Sequence, residues 1–200
     1  MKDPKEEVNS PKRFDTLLPC PLATPSLQER CSDIELLVLD VDGVLTDGSI
    51  VYGDNRVELK FFHVRDGSGL KMWRLAGKKA AVITGRVSPL VEVRAAELDI
   101  APVVQGAADK LTAYREILAR SGLKQDQVCC IGDDVPDLPL LRNCRLAVAV
   151  ADACIEARAD AHYITQVPGG RGAIREVIEL ILRCQGMWQT IVDRYRAMTW

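Results

Sequence analysis

From Ile34 to Leu39 the chain is apolar everywhere except at Glu35. That run is too continuous for a strand with one wetted face and fits a central parallel strand buried on both sides. Ser49–Tyr52 and Val57–Val64 are β-rich stretches separated by GDNR, which predicts a hairpin. GSGLKMWRLAGK then carries Leu70, Trp73 and Leu75 with Gly77 as a stop, the pattern of a short helix. Further on, apolar runs and helical stripes alternate. KAAVITG, APVVQG, QVCCIGDD, RLAVAVA and HYITQ predict strands. Between them lie helices: PLVEVRAAELD opening on Pro89, AADKLTAYREILARSG with Leu111, Tyr114, Ile117 and Leu118, then VPDLPLLRNC and ADACIEARA. GAIREVIELILRCQG places Ile174, Val177, Ile178 and Ile181 on one face, and MWQTIVDRYRAM predicts a last helix. Strands alternating with helices define a three-layer α/β domain around a parallel sheet, with its chemistry at the carboxyl ends of the strands.

Composition changes this picture at the edges. Residues 1–32 hold Pro4, Pro11, Pro19, Pro21 and Pro25 among charges, which predicts a flexible extension, with the domain over 33–184 and a helical tail over 185–200. The opening MKDPKEEVNSPKRF has no apolar stretch behind it, so no secretory signal is expected, and no run is long enough to span a membrane. The 200 residues carry a net charge of -2, which supplies no general field for nucleic acid. Trp73, Trp188 and Trp200 lack the basic-aromatic interleaving that stacks bases. The 7 cysteines include no CxxC pair, so reduced thiols in a cytoplasmic protein are expected rather than disulfides or zinc. His63 and His162 are too poorly companioned for a zinc site.

The candidate chemistry lies in the carboxylates. In LDVDGVLTDG, Asp40 and Asp42 follow the buried strand and precede Gly43, and CIGDDVPD ends another apolar run with Asp133, Asp134 and Asp137. Crowded carboxylates beside strand ends repel one another and favour protonation, a cost that a hard divalent cation removes. An all-oxygen set points to Mg²⁺. ITGR adds the Thr84 hydroxyl and the Arg86 guanidinium as phosphate donors, and Lys110 in GAADKL adds an ammonium. Alone, Thr84 reads as a turn residue and Lys110 as a surface charge; together they supply the donors and positive charge that the aspartates lack. GGRG at 169–172 is not a phosphate-loop pattern and reads as a flexible turn.

DVDGVLTDG, ITGR, the lysine of ADKL and GDDVPD resemble, in order, the four motifs of the haloacid-dehalogenase superfamily. FFHVRDGSG, ITGRVSPLVEVRAAEL, VVQGAADKL, IGDDVPDLPLL, VAVADA and GGRGAIREVIELIL are more narrowly similar to its 3-deoxy-D-manno-octulosonate 8-phosphate (KDO 8-phosphate) phosphatase family. The resemblance implies a Rossmann-like fold without a separate cap domain, a small β-hairpin flap and a homotetramer in which the hairpin helps close a neighbour's site. It implies Asp40 as nucleophile and metal ligand. Asp42 would be general acid/base, bound to the metal through its carbonyl, and Asp133 a further metal residue. Thr84 and Lys110 would contact the phosphoryl group, with Asp134 and Asp137 shaping the metal loop. Arg65 and Arg86 would bind the sugar acid or phosphate, and Arg171 would reach an active site, its own or a neighbour's. The family usually has asparagine where this chain has His63, and an aromatic where it has Ser68. The expected activity is Mg²⁺-dependent hydrolysis, through a phospho-aspartyl intermediate, of a sugar-acid phosphate, KDO 8-phosphate first, whose released sugar acid feeds lipopolysaccharide synthesis. Two alternatives are a 2-keto-3-deoxy-nonulosonate 9-phosphate phosphatase and a non-catalytic assembly domain like those fused to cytidylyltransferases. A receiver domain without turnover would leave Asp42 unexplained.

Overall fold

The computed structural model describes residues 25–197. Most of the proline-bearing extension, Cys20, the end of the last predicted helix at Met198 and Trp200 lie outside the described residues. The core is a six-stranded parallel sheet in the order β5-β4-β1-β6-β7-β8, where β1 is Leu36–Leu39, β4 Lys79–Ile83, β5 Val103–Val104, β6 Val128–Gly132, β7 Leu146–Ala149 and β8 Tyr163–Ile164. All of β1, β6 and β7 is buried, as their unbroken apolar runs require of strands covered on both faces. After β1 the chain builds outward through β4 and β5, then returns to β1's other side to lay down β6, β7 and β8. The direction reverses at β1, so the crevice belongs at the carboxyl ends of β4, β1 and β6.

Helices cover both faces. Among them are α2 (Val64–Leu75), α3 (Pro89–Leu98), α4 (Lys110–Ser121) and α7 (Ala173–Cys184). α7 buries Ile174, Val177, Ile178 and Ile181 together with Ala173 and Leu182, the predicted stripe. α8 (Trp188–Arg196) follows, with the Arg175 and Arg183 guanidiniums 5.2 and 5.0 Å from the Trp188 ring.

Two expectations need correction. Residues 25–32 are not a loose extension: Leu27–Cys31 is a helix, α1, opened by a capping box between Ser26 and Glu29. Cys31 is buried there, and Gln185 Nε2 donates to its carbonyl at 2.8 Å, tying α1 to the end of α7. The stretch 57–64 is also not one strand. Only Glu58–Leu59 (β3) pairs, antiparallel, with Val51–Tyr52 (β2), and α2 begins at Val64, before the predicted start at Gly67. The cause is tertiary. Buried Asp66, in the first turn of α2, accepts the backbone N–H groups of Gly172 at 3.0 Å and Arg175 at 2.9 Å, so it caps α7 and draws the VRDG segment into a helix. The hairpin stands apart from the main sheet, and no separate cap domain is found among the described residues.

Candidate active site

Asp40 leaves the sheet just beyond β1, its N–H still donating to the Ile131 carbonyl at 3.2 Å. The chain then turns back on itself, with Val44 and Thr46 N–H groups both donating to the Val41 carbonyl. Gly43 sits at φ 96° in this turn, and a Cβ there would collide with the Asp133 carboxylate. Glycine is therefore what lets Asp133, from the end of β6, approach the Asp40 loop. Lys110 is the first residue of α4, whose preceding Asp109 caps the helix by accepting the Leu111 and Thr112 N–H groups. Its Nζ donates to Asp40 Oδ1 at 2.8 Å and to Asp137 Oδ1 at 2.6 Å. The other oxygen of Asp137 accepts the N–H groups of Asp133 at 3.0 Å and Asp134 at 3.3 Å. Asp137 thus fixes both the lysine and the acidic loop.

Carboxylate oxygens of Asp40, Asp133 and Asp137 lie within 4.8 Å of one another. Burial, reinforced by Asp137 and opposed by Lys110, pushes Asp40 up to about 6. Burial and then the charges of Asp40, Asp137 and Asp134 push Asp133 up to about 8. Burial would lower Lys110, but Asp40 and Asp137 outweigh it and hold the ammonium above its ordinary value. One lysine does not neutralise three clustered carboxylates, and the surplus negative charge on hard oxygens fits a divalent cation such as Mg²⁺. Asp137 was expected only in a supporting role; it enters the cluster, but its oxygens are already engaged by Lys110 and backbone donors. The Asp42 side chain is not part of that cluster; it pairs with Lys60 instead.

Thr84 is buried just past β4, where its N–H donates to the Val104 carbonyl at 2.9 Å and its Oγ1 accepts the Arg86 N–H at 3.4 Å. Asp40, Asp42, Thr84, Arg86, Lys110 and Asp133, with Asp134 and Asp137, line one cleft of about 240 Å³. A larger cleft of about 600 Å³ between α2 and α8 has Arg194 as its only charged residue, so volume does not mark the chemistry here. Arg65 and Arg171 are not brought to the acidic cleft. They share a separate depression of about 420 Å³ with Arg175, Glu176 and Glu179, and Arg171 Nη2 lies 3.2 Å from Asp47 Oδ2.

Two features escaped the sequence reading. Lys60 is one, a buried amine whose partner is unreadable without the hairpin's path. The other is GGRG, which is not a flexible turn. Gly169 and Gly170 are buried, the Gly170 N–H donates to the Val44 carbonyl at 2.9 Å, and a Cβ on Gly169 would fall onto the Gly43 carbonyl. The pair supports the Asp40 loop from beneath, and the doubled glycine was its only sequence signal. Gly169→Ala is expected to cost about 1–3 kcal/mol through overpacking and to reduce activity more than a surface Gly77→Ala, read by thermal melts and initial rates.

Strand-end aspartates, a lysine at a helix start and a threonine past the neighbouring strand define a class: the chain belongs to the haloacid dehalogenase-like hydrolases, whose family profile matches residues 76–178. Within that class it falls with the 3-deoxy-D-manno-octulosonate 8-phosphate phosphatases. It is 47% identical over 165 residues to the enzyme of that name from Yersinia pestis, covering 82% of this chain and 88% of that protein. The structure of the Moraxella catarrhalis enzyme, in complex with magnesium ion, phosphate ion and KDO, superposes with a TM-score of 0.82 at 40% identity, covering 84% of this chain and 97% of that one. The cobalt-bound Haemophilus influenzae enzyme gives 0.78 at 39% identity over 80% of this chain and 94% of that one.

Proposed function

We infer that the chain is a Mg²⁺-dependent phosphatase that hydrolyses KDO 8-phosphate to the sugar acid and phosphate. The observation that carries this is the Asp40–Lys110 contact at 2.8 Å beside the Asp133 carboxylate, in a cleft that also holds Thr84. The Moraxella catarrhalis relative, with its bound magnesium, phosphate and KDO, supports the substrate class. The relatives described above are octulosonate enzymes by name, which does not favour a nonulosonate 9-phosphate. A complete set of acidic, hydroxyl and ammonium groups likewise argues against a mere assembly domain.

In this reading an Asp40 carboxylate oxygen attacks phosphorus, and the bond from phosphorus to the sugar oxygen breaks. Asp42 gives its proton to the departing oxygen. Asp42, now a base, takes a proton from water, whose oxygen attacks the phospho-aspartyl group; phosphate leaves and Asp40 is restored. Lys110 and Thr84 donate to the phosphoryl oxygens as charge redistributes. Asp40, Asp133 and the Asp42 carbonyl would hold Mg²⁺, which supplies charge neutralisation at the phosphoryl group. Asp134 and Asp137 keep the acidic loop in place, and Arg86 meets the acidic sugar or the phosphate. A phosphate-release screen over sugar-acid phosphates, with and without Mg²⁺, tests the assignment. KDO 8-phosphate should show the highest kcat/KM, and a higher value for the nonulosonate 9-phosphate would overturn the substrate.

The hairpin points to a homo-oligomer, which the resemblance makes a tetramer. Tyr52 is 65%, Leu59 44% and Phe61 60% exposed, apolar side chains along the hairpin that packing on a second copy would cover. Packed on a neighbour, it would close that copy's acidic cleft, and Arg65 and Arg171 would serve a site completed between copies. Free thiols at all six described cysteines, and no helix among the described residues long and apolar enough to cross a membrane, fit a cytoplasmic enzyme. Leu59→Glu with Phe61→Glu should shift sedimentation toward monomer and lower activity together. A fully active monomer would sink the shared-site reading.

A further inference from the structure

Lys60 follows β3, where alternate side chains face opposite ways. Leu59 and Phe61 are exposed, whereas the Lys60 side chain between them is only 2% exposed. Its ammonium pairs with Asp42 Oδ1 and lies 3.7 Å from Glu58 Oε1. From the end of β4, Arg86 Nε lies 3.6 Å from the other Asp42 oxygen, Oδ2, while Arg86 Nη2 donates to Glu58 Oε1 at 3.1 Å. The two oxygens of Asp42 are therefore faced by cations from two separate segments, one of them the hairpin. Lys60 is not among the residues lining the acidic cleft, whereas its partner Asp42 is. Withdrawing an ammonium from water is costly unless it is paired, and Asp42 is its nearest partner.

We propose that Lys60 is a positioning residue that aims the Asp42 carboxyl at the leaving sugar oxygen and thereby makes the hairpin part of the proton-transfer device. This rests on the reading of Asp42 as general acid/base. Asp42 is a short side chain at the cleft's edge, 18% exposed, and must serve the leaving-group side while Asp40 serves phosphorus. Without Lys60, only the longer Arg86 approach restrains it, and the carboxyl is free to turn toward the guanidinium and away from the substrate.

The test is steady-state kinetics on KDO 8-phosphate with Mg²⁺ for the wild type, Lys60→Met, Asp42→Asn and the double variant. Lys60→Met should lower kcat about 10²-fold, the scale of a misplaced reacting group, with KM little changed. In the Asp42→Asn background it should cost nothing further, because the residue it acts through is gone. Lys60→Arg, which keeps a cation in place, should recover most of kcat. A second readout does not depend on residual Asp42→Asn activity. First-turnover release of p-nitrophenolate from p-nitrophenyl phosphate, a leaving group that needs no proton, should fall little in Lys60→Met. Additive losses in the double variant, a raised KM at unchanged kcat, equal losses on both substrates, or a loss no greater than the unfolded fraction seen in thermal melts would each overturn the proposal. An Asp42→Asn enzyme with wild-type kcat would instead overturn the reading of Asp42 itself.

Discussion

Asp40→Asn should leave a folded protein whose turnover falls on the order of 10⁶-fold, the scale for deleting an enzymatic nucleophile. The amide keeps the shape of the carboxylate but does not attack phosphorus. Folding should survive because the substitution removes a buried charge that is crowded by Asp137 and Asp133, while Lys110 keeps its 2.6 Å contact to Asp137. Without divalent metal, the variant should melt at or above the wild-type temperature. Steady-state turnover by a pure, folded D40N protein would remove Asp40 from its role. Rapid quench with ³²P-labelled substrate makes the complementary check: label should attach to the wild-type chain and not to the variant.

Removing divalent metal is the second large effect. Chelation should abolish turnover and Mg²⁺ should restore it, while Asp133→Asn should demand far more Mg²⁺ or fail to respond. The metal-free protein also carries a pH signature of definite sign. Asp40 at about 6 and Asp133 at about 8 stand above their ordinary 3.8, so in the folded state they hold protons that the unfolded chain has already lost. Their contribution to stability is thus present at low pH and is lost as pH rises from about 4 through those folded values. A tenfold difference in proton affinity between folded and unfolded chain is worth about 1.4 kcal/mol, and each kcal/mol moves the melting temperature of a domain this size by about 2–4 °C. In chelator, wild type should therefore lose several degrees relative to D133N between pH 5.5 and pH 8. Mg²⁺ should restore more at pH 8, where protons no longer compete for the carboxylates. A difference between the two proteins that does not vary with pH would count against a strained carboxylate cluster.

The parts legible in the sequence are those set by local pattern. Unbroken apolar runs marked β1, β6 and β7 because a strand covered on both faces has no polar positions to show. Pro89 opened α3, and the Ile174–Ile181 stripe marked α7. Asp40, Thr84, Lys110 and Asp133 were visible because each stands at the end or start of such an element, and the fold gathers them into one cleft. What stayed hidden depends on long-range partners. Asp66 turns residues 64–66 helical only because the start of α7 lies against it, and Lys60 acquires meaning only once the hairpin folds back over Asp42. Arg65 and Arg171 show the converse: their chemistry was readable, but their place outside the acidic cleft was not. The helix at Leu27–Cys31 was not expected among the prolines of residues 1–32, because its start rests on one short capping box, Ser26 with Glu29.

The glycine pair beneath the Asp40 loop has a consequence for the order of events in the cell. Asp40 is synthesised long before the backbone that seats its turn, at Gly169 and Gly170, can emerge. A nascent chain still short of that point holds the nucleophile on an unbraced bend, so hydrolytic competence arrives late, with α7. Ribosome-bound fragments ending before residue 169 would then be inert toward substrate even where their first strands have already paired.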